Sequence, residues 1–420
     1  MLYDRWQRIA RDHSNDIALI DLGSDRRWTF AELDAASRCS SEAFGLVHFP
    51  QGNSASFILE TLAAWRAGAV VCPIESGQPK PDLRTPPPSI AHLKMTSATT
   101  GAARLVAFTA AQLAADAENI VQTMGLRPGW PNLGVISLAH SYGFSNLVLP
   151  LLLHGIPLIL SDSPLPESVR RGSALVEFIT LPAVPALWRA WHEADAIPGN
   201  VRLAISAGAP LPLPLESEIF QKAGLKVHNF YGATECGGIA YDRGTKPRTD
   251  ATCVGEVMMN VNLSVNAAGC LEVRGAAVGQ SYWPEAGPGL ENGCYHTSDL
   301  AEIRDGQIHL RGRATDLINI AGRKISPEVI ERTLLDHPQV RECLVFGAPS
   351  PEAERSEMIV ACVAGSANAT GETLKQYLLT RLPAWQIPRE WRFVETLEPN
   401  KRGKLSRTEW RARLGFTTPA

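Results

Sequence analysis

The sequence predicts an α/β fold: helix-covered sheets form a large N-terminal domain, a β-rich subdomain follows, and a small α+β domain ends the chain. Strands and helices alternate from about residue 92 to residue 229, which is typical of a parallel sheet covered by helices. The pattern then becomes strand-rich and hairpin-like over 255–310, and a smaller α+β unit follows. We therefore predict two domains, residues 1–313 and 314–420.

The N-terminal region predicts two helical pieces around a short strand, followed by a longer helix. Phe57, Ile58, Leu62 and Trp65 recur at helical spacing, and Gly68 ends that helix. Residues 75–90 are rich in proline and glycine and predict a loop.

The alternating part begins with a strand at 92–95, a polar turn at 96–101 and a helix at 110–124. It continues with a strand at 134–138, a helix at 146–153 and a strand at 156–160. The alternation of strands and helices continues through residues 174–181, 185–192, 201–206, 215–223 and 226–229.

The last part of the chain has clear local signals. Asp305-Gly306 lies between two apolar runs, 300–303 and 308–310, and predicts a two-residue β-hairpin. Ser326-Pro327-Glu328 predicts a helix start, because serine caps the N-terminus, proline suits the first helical position and acids suit the first turn.

Composition limits the classes of function. The 420 residues are 45% hydrophobic with a net charge of -3, so no basic surface argues for nucleic acid. The charged N-terminus does not resemble a signal peptide, and the longest apolar run, 147–160, is interrupted, so we expect a cytoplasmic protein without a membrane span. The eight cysteines contain no C-x-x-C pair, which predicts reduced thiols and argues against a zinc site.

A turn rich in serine and threonine precedes the predicted helix at 110–124. From Thr96 to Arg104 the chain reads TSATTGAAR. Hydroxyls and backbone N–H groups crowded into such a turn can cradle an anion, and Arg104 adds a planar cation. The spacing does not fit the P-loop of NTPases. The alternative is an ordinary surface turn.

A second turn, NFYGATECGG from Asn229, directly follows a predicted strand. Its glycines let the backbone approach a flat ligand, Tyr231 offers a ring for stacking, and Glu235 offers a hard oxygen ligand for Mg²⁺. A tight turn with one exposed acid is the alternative. The density of special residues favours a site.

Asp299 and Arg313 flank the predicted hairpin. A carboxylate can accept two ribose hydroxyls, and an arginine can hold a ribose oxygen or a phosphate. A salt bridge across the hairpin is the alternative.

The fourth motif is the basic stretch PNKRGKLSR at 399–407. Taken alone it reads as a solvated tail. Lys404 lies next to Gly403 on a loop, however, and could instead swing into a neighbouring site and neutralise developing phosphate charge.

In this order and spacing the motifs resemble those of the adenylate-forming superfamily, which contains acyl- and aryl-CoA synthetases, peptide-synthetase adenylation domains and luciferases. TSATTG resembles TSGTTG, YGATE resembles Y-G-x-T-E, YHTSD resembles Y-R-T-G-D, and PNKRGKLSR resembles P-x-x-x-x-G-K-x-x-R. GRATDLINIAGRKISPEVIE also resembles the superfamily's segment between the two domains. The resemblance covers roughly residues 28–407.

The resemblance implies a two-step reaction with ATP, Mg²⁺ and a small carboxylic acid. The carboxylate attacks the α-phosphorus and forms an acyl-adenylate; a thiol of CoA or of phosphopantetheine then takes the acyl group and releases AMP. It also implies that the small C-terminal domain is a mobile lid. An acyl carrier protein is a candidate partner, and a homodimer is a candidate assembly.

Roles follow from the resemblance position by position. For the nucleotide and metal, the residues are Thr96, Ser97, Thr99, Thr100, Gly101 and Arg104 at the phosphates, Gly208, Ala209, Pro210, Asn229, Tyr231 and Gly232 around adenine, Asp299 and Arg313 at the ribose, Thr234 at the α-phosphate and Glu235 at Mg²⁺. For the acid and the thiol, they are Lys404 between carboxylate and α-phosphate, His140 as the gate of the acyl pocket, Tyr142, Phe144, Ser206 and Gly237 along that pocket, and Lys324 beside the thiol tunnel. For His140, a satisfied core histidine is the alternative.

Three features depart from the resembled pattern. Ala98 replaces a glycine, Arg104 replaces a lysine, and Thr315 takes the usual hinge position. These departures leave open a second hypothesis, a degenerate member that binds a nucleotide or acyl-adenylate without catalysis. The run 140–144 lacks the aspartate that amino-acid-activating domains use, so an aryl or aliphatic acid is favoured over an α-amino acid. The segment 74–94 is shorter than in typical relatives.

Overall fold

The computed structural model describes residues 1–39, 45–81, 83–96, 104–350, 357–366, 368–398 and 405–416. The strands are β1 Ile17–Asp21, β2 Arg26–Thr29, β3 Val47–His48, β4 Val70–Val71, β5 Ile90–Met95, β6 Leu105–Thr109, β7 Asn132–Gly134, β8 Leu158–Leu160, β9 Ile179–Ala183, β10 Val201–Ser206, β11 Val227–Ala233, β12 Gly237–Tyr241, β13 Cys253–Val257, β14 Val261–Val265, β15 Cys270–Gly275, β16 Ser281–Trp283, β17 Leu290–Glu291, β18 Cys294–Arg304, β19 Gln307–Arg313, β20 Ile318–Ile320, β21 Arg323–Ile325, β22 Val340–Pro349, β23 Glu357–Gly365 and β24 Glu390–Val394.

The helices lie mainly in the N-terminal two thirds of the chain. They are α1 Leu2–Asp12, α2 Phe30–Cys39, α3 Ala55–Ala67, α4 Ala110–Met124, α5 Ser141–Gly143, α6 Leu149–His154, α7 Pro166–Ser173, α8 Pro185–Glu193, α9 Leu213–Ala223, α10 Pro327–Leu335, α11 Gly371–Leu379 and α12 Arg407–Arg413. A π-helical turn, Phe144–Val148, joins α5 to α6. None of the helices in the described ranges is long and apolar enough to cross a membrane.

The main sheet changes character at β11. Strands β1, β8, β7, β9, β10 and β11 pair in parallel, whereas β12, β13, β19, β18 and β15 continue the same sheet in antiparallel order. Parallel strands need helical crossovers, and these helices bury the first half of the sheet. Ligand sites in such sheets lie beyond the carboxyl ends of the strands, so the end of β11 is where a site is expected.

A second sheet stands beside the first, in the order β16-β6-β5-β4-β3. The antiparallel strands β5 and β6 are joined through residues 96–104, and β16 from the β-rich region pairs with β6. This pairing brings residues 281–283 next to Arg104, the described end of the segment that the sequence singled out as an anion cradle.

The C-terminal part has its own apolar cores. One core packs α10 and α11 against the β22-β23-β24 sheet, and a second packs α12 against the other side of that sheet. The large core of the chain ends at Ala301. The α/β architecture with a large N-terminal and a small C-terminal domain is therefore confirmed, while the boundary after residue 313 stays a prediction.

Local signals predicted the elements unevenly. The helix at 110–124 and the strand at 201–206 have the predicted bounds. Asp305 and Gly306 form the hairpin turn with φ of 50° and 77°, as the Asp-Gly pair requires. The strand predicted at 134–138 is wrong in its bounds, because pairing with β8 and β9 ends at Gly134. The helix predicted at 146–153 begins instead at Ser141.

Candidate active site

The site is built at the carboxyl end of β11, where Tyr231 and the glycine turn emerge. Tyr231 Oη donates to Asp299 Oδ2 at 2.5 Å, and Arg313 Nε donates to Asp299 Oδ1 at 2.9 Å. Asp299 and Arg313 are register partners in the β18–β19 hairpin. Three predicted nucleotide-binding residues from two distant segments thus meet at one carboxylate. The salt bridge between Asp299 and Arg313, which was the alternative interpretation, is present. Tyr231 contacts the same carboxylate.

Glu235 lies next to this group on the turn between β11 and β12. Tyr282 Oη donates to Glu235 Oε1 at 3.2 Å, and the backbone N–H of Gly279 donates to the Glu235 carbonyl oxygen at 2.8 Å. Burial raises the pKa of the Glu235 carboxyl, although the Tyr282 hydrogen bond opposes this shift. A half-buried carboxylate that accepts only from neutral donors is a costly group when ionised, and a divalent cation would relieve that cost.

Arg104 completes the same wall of the site. Its guanidinium carbon lies 3.7 Å from the centre of the Tyr282 ring, so the cation stacks on the phenol that holds Glu235. Arg104 N donates to Thr96 Oγ1 at 3.1 Å, and Thr96 N donates to the Arg104 carbonyl oxygen at 2.8 Å. These bonds close the base of the hydroxyl-rich turn. Ser97, Thr99, Thr100 and Gly101 lie outside the described residues.

The predicted adenine residues follow the neighbouring strands. Gly208, Ala209 and Pro210 form an exposed loop after β10, and Gly208 has a φ of 85°, which favours glycine. Asn229 is buried, and Gly232 is exposed beside Tyr231. Thr234 is half-buried on the turn, and the Ser206 hydroxyl is buried without a hydrogen-bond partner among the described residues.

His140 directly precedes α5. Its side chain is 48% exposed and its Nε2 lies 3.2 Å from Glu75 Oε1. Glu75 Oε1 also accepts a hydrogen bond from the Ser137 hydroxyl. His140 is therefore an exposed residue held by a carboxylate, and the alternative interpretation as a core histidine is wrong.

The predicted pocket residues differ in placement. Tyr142 is half-buried, and its hydroxyl donates to the Ala183 carbonyl oxygen at 3.4 Å. Phe144 is fully buried and lies 4.3 Å from the His92 ring, so it supports the wall from behind. Gly237 is buried with a φ of 70°, and a Cβ placed on it would lie 2.0 Å from Asp116 Oδ1. Only glycine fits there.

The C-terminal residues of the site are partly described. Lys324 is exposed on the β20–β21 hairpin. Lys404 lies outside the described residues, but Arg407, three positions later, is anchored firmly. Its guanidinium contacts Asp316 at 2.9 Å, Glu331 at 2.8 Å and Glu328 at 3.1 Å. The end of the basic loop is thereby fixed to the segment that follows β19.

Sequence reasoning missed two residues of the site, Tyr282 and Glu75. Each reaches its partner through contacts between distant segments: Tyr282 contacts Glu235 across 47 positions, and Glu75 contacts His140 and Ser137 from a loop rich in proline. No local pattern marks Glu75. The tyrosine in SYWP, following Gly279, was the only signal available for Tyr282.

Family models for the AMP-binding enzyme and for the AMP-binding enzyme C-terminal domain match residues 78–283 and 329–404. The chain belongs to the AMP-binding enzymes. It is an ATP-dependent, AMP-forming acid–thiol ligase, because its curated relatives are named as acyl- or aryl-CoA ligases.

Two of these relatives cover most of the chain. A feruloyl-CoA synthase of Amycolatopsis sp is 28% identical over 91% of this chain and 82% of its own length. A probable 2-succinylbenzoate–CoA ligase of Mycobacterium tuberculosis (strain ATCC 25618 / H37Rv) is 27% identical over 86% of this chain and 96% of its own length.

Solved structures support the fold. ATP-bound MatB from Rhodopseudomonas palustris superposes with a TM-score of 0.86 at 20% identity and covers 98% of this chain and 99% of its own. The o-succinylbenzoate CoA synthetase of Bacillus subtilis, in complex with its acyl-adenylate intermediate, gives a TM-score of 0.81 at 22% identity, with 97% of each chain covered.

Proposed function

We propose that this AMP-binding enzyme activates an aryl carboxylic acid and transfers the aryl-acyl group to CoA. The observation that carries the nucleotide half of the proposal is the convergence of Tyr231, Asp299 and Arg313 beside Glu235. The aryl half is supported by two relatives of wide coverage, one named for feruloyl-CoA and one for 2-succinylbenzoate. CoA is favoured over an acyl carrier protein on the same grounds, and a homodimer stays a prediction.

The polar groups suit a bound nucleotide. Asp299 can accept two ribose hydroxyls through its remaining lone pairs, while the Tyr231 and Arg313 donors hold the carboxylate in position from either side. Arg104 keeps a fixed positive charge near the phosphates because the Tyr282 ring supports its guanidinium plane. The exposed loop at 208–210 supplies backbone groups to the adenine edge.

Glu235 is the residue that we propose for Mg²⁺. Its side chain is half-buried, its carboxylate accepts a hydrogen bond from Tyr282, and burial raises its pKa, so a divalent cation would favour its ionised form. The metal would supply charge neutralisation at the phosphates. Tyr282 orients the carboxylate, and Thr234 lies one position before it.

Lys404 is the residue that we propose to bridge the carboxylate and the α-phosphorus. Because Arg407, three positions later, is held by Asp316 and Glu331, we expect Lys404 to move with the C-terminal domain when that domain closes on the nucleotide. Lys324 on the opposite hairpin is proposed for the thiol step. A rotation of the C-terminal domain between the two steps would move Lys404 away from the site and bring Lys324 to it.

The acid pocket favours a neutral or anionic aryl acid. In the described part of the pocket wall, the carboxylate nearest to His140 is that of Glu75, which already contacts His140 and accepts from Ser137. The carboxylate beside His140 is therefore already engaged, and an α-ammonium group buried there would lack a free counter-ion, at considerable cost. Tyr142 and Phe230, with ring centres 6.0 Å apart, offer an aromatic surface instead.

The test is direct product analysis. The full chain is incubated with ATP, Mg²⁺, CoA and one candidate acid per reaction. The acids are hydroxycinnamates, 2-succinylbenzoate, a medium-chain fatty acid and an α-amino acid. Mass spectrometry should show an acyl-CoA and equimolar AMP with at least one aryl acid and none with the amino acid. An acyl-CoA formed only from the fatty acid would reject the aryl proposal.

The second hypothesis, binding without catalysis, is separated by Lys404→Ala. Catalysis predicts that this variant retains ATP binding but loses most of its adenylate formation, on the order of 10²-fold or more, as for other electrostatic groups at a transition state. If the wild type and Lys404→Ala both showed only background adenylate formation, the hypothesis of a degenerate, non-catalytic member would be favoured. Lys401→Ala, in the same basic loop, is the matched control and should behave like the wild type.

A further inference from the structure

The face of β18 opposite the one that carries Asp299 holds a separate cluster of metal-ligand side chains. Alternate residues of a strand point to opposite faces. Tyr295 lies four positions before Asp299 on β18, so both side chains belong to the same face, and Tyr295 packs against the main apolar core. Cys294 and His296, its two neighbours, therefore share the other face.

Strand pairing adds a third ligand to these two. Glu272 on β15 is the register partner of His296, and its Oε1 lies 3.0 Å from His296 Nδ1. The Cys294 thiol, the His296 imidazole and the Glu272 carboxylate each place one ligand atom within 4.8 Å of the other two. Three different metal-binding groups thus meet across two adjacent strands.

We propose that Glu272, Cys294 and His296 bind a zinc ion, with water in the fourth position. Thiolate, imidazole and carboxylate are the ligands that zinc takes in proteins, at about 2.0–2.3 Å. Those bond lengths require the ligand atoms to lie roughly 3.3–3.8 Å apart, so Glu272 Oε1 and His296 Nδ1, which are 3.0 Å apart, would separate slightly on binding. Cys294 is buried and fixed, whereas the side chains of His296 and Glu272 are 36% and 17% exposed and can rotate toward it.

The surroundings of the cluster support this assignment. Ser264 Oγ donates to Glu272 Oε2 at 3.4 Å, so the second oxygen of the carboxylate is oriented and the first faces the other ligands. Glu291 on β17 is the register partner of Cys294 and adds negative charge on that side. Arg274 is the one cation facing the cluster that the structure describes; it lies 3.9 Å from Glu272 Oε2, and its side chain is 54% exposed and free to turn into solvent.

The site belongs to this chain and not to the shared motif. The resembled motif reads Y-R-T-G-D, and His296 stands where it has arginine. The sequence argued against zinc because it contains no C-x-x-C pair. Ligands from neighbouring strands follow the register and not the chain spacing, which is why that argument did not detect the cluster.

A zinc ion here would link β15 to β18, the strand that carries Asp299. The ion contributes by binding the folded chain and not the unfolded one, so it should raise the melting temperature of the protein. This effect does not depend on acid activation and is measurable without substrates.

Cobalt is the probe for the test, because a thiolate bound to Co²⁺ gives a charge-transfer band. The full chain is stripped with chelator and titrated with CoCl₂. We expect one equivalent to bind with a thiolate-to-cobalt band and the visible bands of a four-coordinate ion, and we expect ZnCl₂ to displace it. Zinc should also raise the melting temperature of the stripped protein.

Variants assign the ligands. Cys294→Ser should remove the charge-transfer band, and Glu272→Gln and His296→Asn should each weaken cobalt binding by at least about tenfold. Cys270→Ser, a buried thiol on β15, is the matched control and should keep the band. If Cys294→Ser does not fold, the cobalt affinities of Glu272→Gln and His296→Asn decide the question. The proposal is overturned by the absence of a stoichiometric band, by a band that survives Cys294→Ser, or by unchanged cobalt affinity in both Glu272→Gln and His296→Asn.

Discussion

Arg313 and Asp299 face each other across the β18–β19 hairpin, and the guanidinium Nε donates to the carboxylate at 2.9 Å. Asp305-Gly306 sets the register of that hairpin next to the turn, and a bulge between Leu300 and Ala301 shifts it by one residue, so that Asp299 opposes Arg313 at the far end. Burial lowers the pKa of the Arg313 guanidinium, but the adjacent Asp299 outweighs this and leaves it raised. A permanently charged fork is therefore held ready beside the carboxylate.

Arg313→Lys should raise the KM for ATP roughly tenfold while leaving the protein folded, because one charge-assisted hydrogen bond is worth about 1.5–3 kcal/mol and an ammonium does not reproduce the fork. The measurement is steady-state kinetics at varied ATP. Arg311→Lys is the matched control: Arg311 lies two positions earlier on β19 and pairs with the exposed Glu302. Similar KM values for the wild type and Arg313→Lys would contradict the role.

Glu235→Gln should raise the melting temperature of the protein and lower its activity. Burial raises the pKa of Glu235, so the folded state favours the protonated form, and ionisation costs stability as the pH rises above the unfolded value. The glutamine variant should therefore melt higher than the wild type at pH 8. This advantage should shrink as the pH falls toward about 4.3, the ordinary pKa of glutamate.

The same variant should lose about 10²–10³-fold in adenylate formation. Glu302→Gln is the control for the sign of the effect, because the hydrogen bond from Arg311 lowers the pKa of that exposed carboxyl. Its replacement should not raise the melting temperature at pH 8. A Glu235→Gln protein that melts lower than the wild type at pH 8 would refute this explanation.

Gly237→Ala should destabilise the protein by about 2–4 kcal/mol, because the new Cβ meets Asp116 Oδ1 and the residue keeps a positive φ. Asp116 cannot easily withdraw, since Lys94 Nζ donates to its other oxygen at 3.0 Å inside the core. Gly125→Ala is the matched control: its φ is 67°, but no atom lies within 4 Å of the added carbon. It should cost about 1 kcal/mol. Urea unfolding of the three proteins measures the difference, and equal losses would show that the contact with Asp116 has no effect.

Arg407→Met should destabilise the C-terminal domain by about 3–5 kcal/mol, because it leaves the buried Glu331 and its neighbours without their counter-ion. Adenylate formation should fall as well, since the basic loop loses its anchor. Differential scanning calorimetry and turnover are measured together. Arg413→Met removes an exposed pair with Glu398 and should change the melting temperature little. Equal effects of the two variants would contradict the anchoring role.

The parts of the site that the sequence predicted are those determined by local chemistry. Asp-Gly requires positive φ, and Ser326-Pro327 begins α10, although the Ser326 hydroxyl donates to Glu328 and not into a capping bond. The resemblance to the adenylate-forming superfamily implied nucleotide-binding roles for Tyr231 and Asp299, and the structure brings the two residues into contact. That contact crosses 68 positions and depends on sheet order, which no local pattern gives.

The parts that the sequence missed depend on pairing between distant strands. Tyr282 reaches Glu235 only because β16 pairs with β6, and the partners of His296 follow from the register of β15 and β18. The π-helical turn at 144–148 places Phe144 behind the wall of the pocket, whereas helical spacing alone left its direction open.

Carboxylate-dependent exchange between ATP and labelled pyrophosphate tests the central claim most directly, because only a reversible adenylate-forming step returns label to ATP. With Mg²⁺ and a panel of aryl acids, the account predicts exchange that requires one of these acids and that falls to background in Glu235→Gln. A folded preparation that binds ATP and exchanges no label with any acid of the panel would contradict it.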